Sequence, residues 1–468
     1  MDYNEEMIHG IVSRQRDFFR KGMTLDVDWR LRQLKILKDA VLRHQDEILE
    51  AVQKDLGKHP VETYFCEIGS FVLEINGIMK GLKKWSKTEI HFSGLHCFPS
   101  LMTKVWRMPY GVTLVISPFN FPILLSLGVL AASLAGGNTA VVKVSSKSMN
   151  SSRLLNSIIA ECFPPEYVAV IEGGHDVADM CLNERFDKIF YTGSPKIGKH
   201  VMECASKNLT PVALELGGET GNWCIVRKDA DIKDAARKVA FFKILNAGQI
   251  CIDVNQVAVA SEIALPFVEE LKKAFEKQIG EDALANTEYP RLISSAAYAK
   301  CAGVAEKYRD RVVYGGYGDE ETLRYAPTIV YPVDADEDIV QHELFSPVLP
   351  VVVFNDKEVD ALIEKIEGRE HGLALYIFTK DVKWAEKTMK TMQFGGGCIN
   401  EVCLHMMVKG VPFNGTGHSG MGAYHGRYGY EEFTHPCTLT IGSNHMNMPL
   451  REHPYAKWKL ALIKVFER

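Results

Sequence analysis

Val112-Thr113-Leu114-Val115-Ile116 is an uninterrupted β-prone run, closed by Ser117-Pro118-Phe119-Asn120-Phe121-Pro122 and followed by an apolar segment ending at Ala135. A short apolar run bounded by turn residues reads as a buried strand, and the longer segment over 122–135 as a buried helix. The alternation continues with strands over 139–144, 167–171 and 188–191 and helices over 150–162, 176–182 and 196–206. Strands and helices alternating at this spacing build a parallel sheet covered on both sides, so the fold class is α/β. Sheets of this kind bind ligands beyond the carboxyl ends of their strands.

The unusual residues stand at those ends. The first strand leads into Phe119-Asn120, the second into Lys143-Val144-Ser145-Ser146-Lys147, and the fourth into Thr192-Gly193-Ser194-Pro195-Lys196-Ile197-Gly198. In the last of these, Gly, Ser and Pro open a helix. That leaves backbone N–H groups and the positive end of a helix dipole facing the turn, which suits a pyrophosphate as well as ordinary capping. No G-x-G-x-x-G follows the first strand, so a standard dinucleotide-binding fingerprint is absent.

Upstream, 3–85 carries helical patterning, with Leu31, Leu34, Leu37, Val41, Leu42, Ile48, Leu49 and Val52 forming one packing stripe over 29–56. The segment 87–106, with Gly94 and Pro99, suggests extended structure or a projecting hairpin. Downstream, Ala213-Leu214-Glu215-Leu216-Gly217-Gly218 sets a carboxylate in an apolar strand end. Desolvation there raises its pKa and suits a general base, although a capping or ion-paired Glu fits the same pattern.

A strand over 222–226 and a helix over 235–244 lead to Leu245-Asn246-Ala247-Gly248-Gln249-Ile250-Cys251-Ile252-Asp253, ahead of a strand over 256–260. Cys251 is either a small buried hydrophobe or a nucleophile, and the second role requires a base, oxyanion donors and an acceptor elsewhere. Gln341-His342-Glu343-Leu344-Phe345-Ser346-Pro347 then precedes a strand over 349–354. A glycine-rich loop over 412–422, a strand over 438–441 and an amphipathic tail over 454–466 end the chain.

At 468 residues the chain has room for two or three domains. Its 54 Lys and Arg against 59 Asp and Glu give a net charge of -5, unlike a nucleic-acid binder. Eleven cysteines without C-x-x-C spacing argue against a disulfide framework or a metal site and for a reducing compartment, with the cytoplasm expected. No secretory signal opens the chain, and the greasy run over 121–135, about 15 residues, is too short to span a bilayer.

Taken together, Phe119-Asn120, Lys143, the turn from Gly193 to Gly198, Glu215-Leu216-Gly217-Gly218, Gly248-Gln249-Ile250-Cys251, Glu343-Leu344-Phe345 and Pro412-Phe413 resemble the aldehyde dehydrogenase superfamily in order and spacing. The resemblance covers nearly the whole chain, and 400–424 looks most like the class-three branch, which includes fatty aldehyde enzymes. It implies an aldehyde dehydrogenase-like fold, with a Rossmann-like parallel-sheet cofactor domain over 1–86 and 107–212 and an α/β catalytic domain over 213–400. A small β oligomerisation element over 87–106 and 401–445 and a tail over 446–468 complete it.

The implied activity is oxidation of an aliphatic or aromatic aldehyde to a carboxylic acid with NAD or NADP, by a homodimer that needs no metal. Cys251 would attack as a thiolate, the side-chain amide of Asn120 and the Cys251 N–H would hold the oxyanion, and Glu215 would activate water to hydrolyse the thioester. Glu343 and Phe345 would position the nicotinamide ribose and ring, Lys143 the adenosine ribose, and Gly193, Ser194 and Gly198 the phosphates. Phe119, Ser145 and Ser146 would complete the cofactor-binding set.

Several residues depart from the family pattern. Ser146 replaces a common Glu that repels a 2′-phosphate, so NADP use is expected beside NAD. Phe119 replaces a common Trp, Glu219 a usual Lys, and Asn414 and His418 interrupt the late loop. Asp253 would raise the Cys251 pKa if it points inward and would matter little if it points outward. Three rivals stand: a CoA-acylating dehydrogenase or acyl reductase on the same fold, a cysteine hydrolase using His405, His418 or His425, and a non-catalytic descendant.

Overall fold

A computed structural model of the chain describes residues 3–466, so 1–2 and 467–468 of the first and last expected segments lie outside the described residues. A six-stranded sheet has the spatial order Gly420–Met421, Val212–Leu216, Lys188–Gly193, Val112–Ile116, Thr139–Lys143, Val168–Ile171. All its pairings are parallel except that of Gly420–Met421, which adds an antiparallel edge with Gly420 opposite Glu215. The strand carrying Glu215 therefore belongs to this first sheet.

A second, seven-stranded sheet runs Val312–Tyr314, Thr328–Val333, Val348–Phe354, Val254–Ala260, Asn222–Val226, Ala374–Phe378, Gly396–Ile399. Only its Val312–Tyr314 edge is antiparallel. The hairpin expected over 87–106 is present: Glu89–Phe92 pairs antiparallel with Met102–Pro109, and Thr434–Thr440 joins on the other side of Met102–Pro109.

Central strands such as Val112–Ile116 and Asn222–Val226 are buried along their whole length, as their unbroken apolar character requires. The helix Leu124–Gly136 is likewise buried at every position, and a helix apolar all round needs cover on all sides. Val27–Arg43 and Ser70–Trp85 pack on it as well as the first sheet. It ends where Gly137 takes a φ of 93° and buried Arg30 donates to Ala135 O at 3.2 Å, setting a cation on its last carbonyls.

The single stripe expected over 29–56 is corrected to two helices, Val27–Arg43 and Gln45–Leu56, which meet at His44. The break rotates the two faces, and Leu31, Leu42 and Leu49 are only half-buried. The tail forms the helix Lys457–Phe466, with Trp458, Leu460 and Val465 exposed. Among the described residues no helix is long and apolar enough to cross a membrane.

Candidate active site

Strand ends of the first sheet and two turns of the second unit enclose one cavity of about 320 Å³. Phe119 and Asn120, Lys143, Ser145 and Ser146, Gly193 and Ser194, and Glu215 come from the first sheet. Cys251, Glu343 and Phe345 come from the second unit and line the same space. Gly198 does not line it. A Cβ there would sit 3.0 Å from Leu216 Cδ2 and 3.2 Å from its Cδ1, so Gly198 sets how closely the helix Pro195–Ser206 packs on the sheet.

The turn before Cys251 is strained and tightly held. Asn246 and Ala247 take φ of 50° and 51°, in the left-handed region that ordinary residues avoid, and Gly248 follows at 71°. A Cβ on Gly248 would meet Ser346 O at 2.3 Å, so glycine is required there. Asn246 N–H donates to Glu62 Oε1 at 2.8 Å, and its Nδ2 donates to Asn120 O at 3.1 Å and Gln249 O at 3.0 Å. Beyond the thiol, Cys251 O accepts from Asn222 Nδ2 at 2.9 Å and Ile252 O from Tyr376 Oη at 2.6 Å. A thiol whose chain is fixed on both sides by side-chain donors is held in one place.

Three acids share this space. Burial pushes the Cys251 thiol up to about 12, with Glu343 and then Glu215 adding to the shift. Burial also pushes Glu343 up to about 8 and holds Glu215 well above the usual carboxylate range, where Glu432 adds to it. Glu215 Oε2 and Glu343 Oε1 are buried with no hydrogen-bond partner. Buried polar atoms left unpaired at a cavity mark where a ligand or water belongs.

Glu343 also presses on Gly217, where a Cβ would lie 2.1 Å from Glu343 Oε1. Phe119 and Phe345 meet edge to face at 6.0 Å between centroids, bridging the two units. Lys143 Nζ donates to Val144 O at 2.8 Å and Gly173 O at 2.7 Å, which commits two of its three N–H groups.

The two readings of Asp253 are replaced by a third. Its carboxylate is buried and pairs with Lys243 Nζ at 2.8 Å, and Lys243 is buried as well. The groups that raise the Cys251 thiol are Glu343 and Glu215, not Asp253.

Two departures from the family pattern meet each other. Glu219 Oε1 lies 3.0 Å from His418 Nδ1 and 3.3 Å from Lys199 Nζ, and His418 also lies 3.4 Å from Glu370 Oε2. The swapped residues thus tie the late loop to the turn after Glu215.

The sequence does not single out Tyr424, yet burial and then Glu215 and Cys251 hold its phenol above its ordinary value. Its place follows from mutual backbone hydrogen bonds with Phe413, a long-range pairing with no local signal. At the far end of the cavity, His200 and Asp179, from two helices, pair at 2.9 Å. Of the histidines that a hydrolase would use, His405 faces Cys398 Sγ at 3.6 Å, His418 the Glu219 cluster, and His425 Glu74 at 3.2 Å. Among the described residues, the charged neighbours that act on the Cys251 thiol are carboxylates.

Known proteins are similar to this chain over nearly its whole length. The model of the aldehyde dehydrogenase family matches residues 2–439. A 4,4'-diaponeurosporen-aldehyde dehydrogenase of Staphylococcus aureus is 35% identical over 96% of this chain and 96% of its own. The aldehyde dehydrogenase family 3 comG of Dictyostelium discoideum is 38% identical over 95% of this chain and 94% of its own. The substrate-bound state of Staphylococcus aureus AldH superposes with a TM-score of 0.95 at 34% identity, over 100% of both chains. A fold shared end to end, with sequence identity above a third, reaches well past a common sheet topology: the chain belongs to the aldehyde dehydrogenase family.

Proposed function

We propose that the cavity oxidises an aldehyde to a carboxylic acid with NAD or NADP as electron acceptor, Cys251 being the nucleophile, Asn120 an oxyanion donor and Glu215 the general base. The observation that carries this reading is the convergence of a cysteine, an amide donor and an unpaired buried carboxylate with the strand-end turns of a parallel sheet in one cavity. Relatives point the same way for the cofactor: one from dog is named dimeric and NADP-preferring, and a Mycobacterium tuberculosis aldehyde dehydrogenase is described as complexed with NAD+.

The residues present fit a dinucleotide. Gly193 and Ser194 sit at the start of a helix, Lys143 keeps one N–H uncommitted, and Glu343 brings an unpaired carboxylate oxygen suited to ribose hydroxyls. When bound, the nicotinamide supplies the acceptor for the hydrogen and electron pair lost by the aldehyde carbon. Cys251 loses its thiol proton to solvent and, as a thiolate, bonds through Sγ to that carbon. The oxygen that becomes negative is held by Asn120 Nδ2, which spends one N–H on Gln249 O at 3.0 Å and has the other free, and by the Cys251 N–H.

Oxidation leaves a thioester on Cys251. Glu215 takes a proton from water as its oxygen attacks the thioester carbon, and collapse returns the sulfur and releases the acid. Burial keeps the thiol protonated in the resting protein, and a bound cationic nicotinamide would favour the thiolate.

The second reading, acyl transfer to CoA, has Glu215 against it, since a buried base beside the thioester serves water. NAD(P)H formation across an aldehyde chain-length series is expected to proceed to the free acid at the same rate with and without CoA; a CoA requirement with an acyl-CoA product would overturn the reading.

Ser146 lies in the cavity wall next to Lys147, which stands 5.3 Å from the Phe119 ring. A neutral serine flanked by Lys143 and Lys147 tolerates a 2′-phosphate. Ser146→Glu is expected to raise KM for NADP by about 10-fold or more with little change for NAD. An unchanged NADP to NAD ratio would remove the basis for dual cofactor use.

A homodimer, housed in the cytoplasm, belongs to the same proposal, with residues 1–86 and 107–212 serving the cofactor and 213–400 carrying the nucleophile. The edge strand Glu89–Phe92 supports it, because Ile90 and Phe92 are 63% and 68% exposed on an unpaired sheet edge.

A further inference from the structure

We propose that the segment 58–67 is a clamp that sets the Asn120 amide against the Cys251 main chain, with Lys58 and Glu62 as positioning residues. This rests on the roles given above to Asn120 and Cys251, and extends them to a region that reads in the sequence as helical packing. Two halves must meet to make the oxyanion site. Asn120 follows the strand Val112–Ile116 of the first sheet, whereas the Cys251 turn precedes Val254–Ala260 of the second.

The clamp holds both halves. Lys58 is fully buried, and its Nζ donates to Asn120 O at 2.7 Å and to Glu67 Oε1 at 3.2 Å, with the Phe121 ring 4.0 Å away. The other oxygen of Glu67, also fully buried, accepts from Ile123 N–H at 2.9 Å and Leu124 N–H at 3.0 Å, fixing the chain just after Asn120. On the other half, Glu62 Oε1 accepts from Asn246 N–H at 2.8 Å, in the left-handed turn that leads to Cys251.

Asn246 Nδ2 closes the loop by donating to Asn120 O and to Gln249 O, the same carbonyl that takes Asn120 Nδ2. Glu67 sits in a π-helical turn, Tyr64–Gly69, set between Pro60–Thr63 and Ser70–Trp85. Such insertions mark functional positions in helices because they re-aim side chains. A charged pair buried this deeply is a poor way to gain stability compared with apolar packing, and it makes sense where it fixes one arrangement of partners.

The experiment is a double-mutant cycle read by the rate of the first-turnover NAD(P)H burst, which reports the steps that need the oxyanion site. Lys58→Met and Glu62→Ala are made alone and in the Asn120→Ala background, with cofactor binding and thermal melting checked for each. Each variant alone is expected to slow the burst by about 10-fold, with aldehyde KM within about twofold, and to change it less than about twofold when Asn120 is already alanine.

Glu62→Ala leaves the buried Lys58–Glu67 pair intact, so it carries the test if Lys58→Met fails to fold. Burst rates that stay at the wild-type level in Glu62→Ala, or that fall by the same factor in both backgrounds, would overturn the clamp. An Asn120→Ala variant with an undiminished burst would instead sink the role of Asn120 itself, which keeps the two failures distinguishable.

Discussion

Cys251→Ala is expected to leave a protein that binds NAD(P) and does not oxidise aldehydes, with kcat/KM falling by about 10⁴-fold or more. The size follows from chemistry that no neighbour can replace. Cys403 is a second thiol near enough to feel the charge of Cys251, and it is buried and donates to Ile252 O at 3.2 Å. The next groups around the nucleophile are carboxylates. Cofactor affinity, measured by fluorescence titration, is expected to hold within about threefold, because the strand-end turns of the first sheet do not depend on the sulfur. Turnover near the wild-type rate would mean that the cavity works without a covalent step.

Glu215→Gln separates the two halves of the reaction. One equivalent of NAD(P)H is expected to form rapidly, followed by turnover slowed about 10²- to 10⁴-fold, the range for losing a general base. The sign of the pH dependence follows from the environment of the carboxyl. Burial and Glu432 hold Glu215 well above the usual carboxylate range, so below its elevated value it carries a proton and cannot take one from water.

Wild-type deacylation therefore rises with pH, and the glutamine variant loses that rise. The stability of the unliganded protein moves the opposite way. Between the ordinary carboxyl range and the elevated value, the folded state keeps a proton that the unfolded chain has released, so stability falls as pH rises through that window. A neutral amide in place of the Glu215 carboxyl has no proton to release, and the variant is expected to melt at or above the wild-type temperature at alkaline pH and at the same temperature in acid.

Sequence pattern carries the strands and helices of the first sheet because strands such as Val112–Ile116 and Val168–Ile171 are fully buried and mostly aliphatic, with turn residues at their ends. The groups proposed to react are legible for a related reason: a carboxylate inside Val212–Leu216 and a cysteine after a Gly-bearing turn break the local apolar pattern. What escapes is direction and long-range pairing. Gly198 stands at a helix start, and only the position of Leu216 shows how closely the glycine lets that helix approach the sheet.

Asp253 turns to Lys243, a partner ten residues back on a helix. Glu219 and His418 look like separate oddities until the late loop folds back antiparallel to the strand of Glu215. Lys58 and Glu62 come just before the π-helical turn Tyr64–Gly69 that holds Glu67, in a connection and a single short helical turn where a 3.6-residue period gives no direction.

The covalent step admits one direct measurement. Glu215→Gln is mixed with an aldehyde and NAD(P), quenched in acid after the burst, digested, and weighed by mass spectrometry. The peptide containing Cys251 should gain the mass of one acyl group, in proportion to the NAD(P)H formed. An unmodified Cys251 peptide alongside a full equivalent of reduced cofactor would contradict the account.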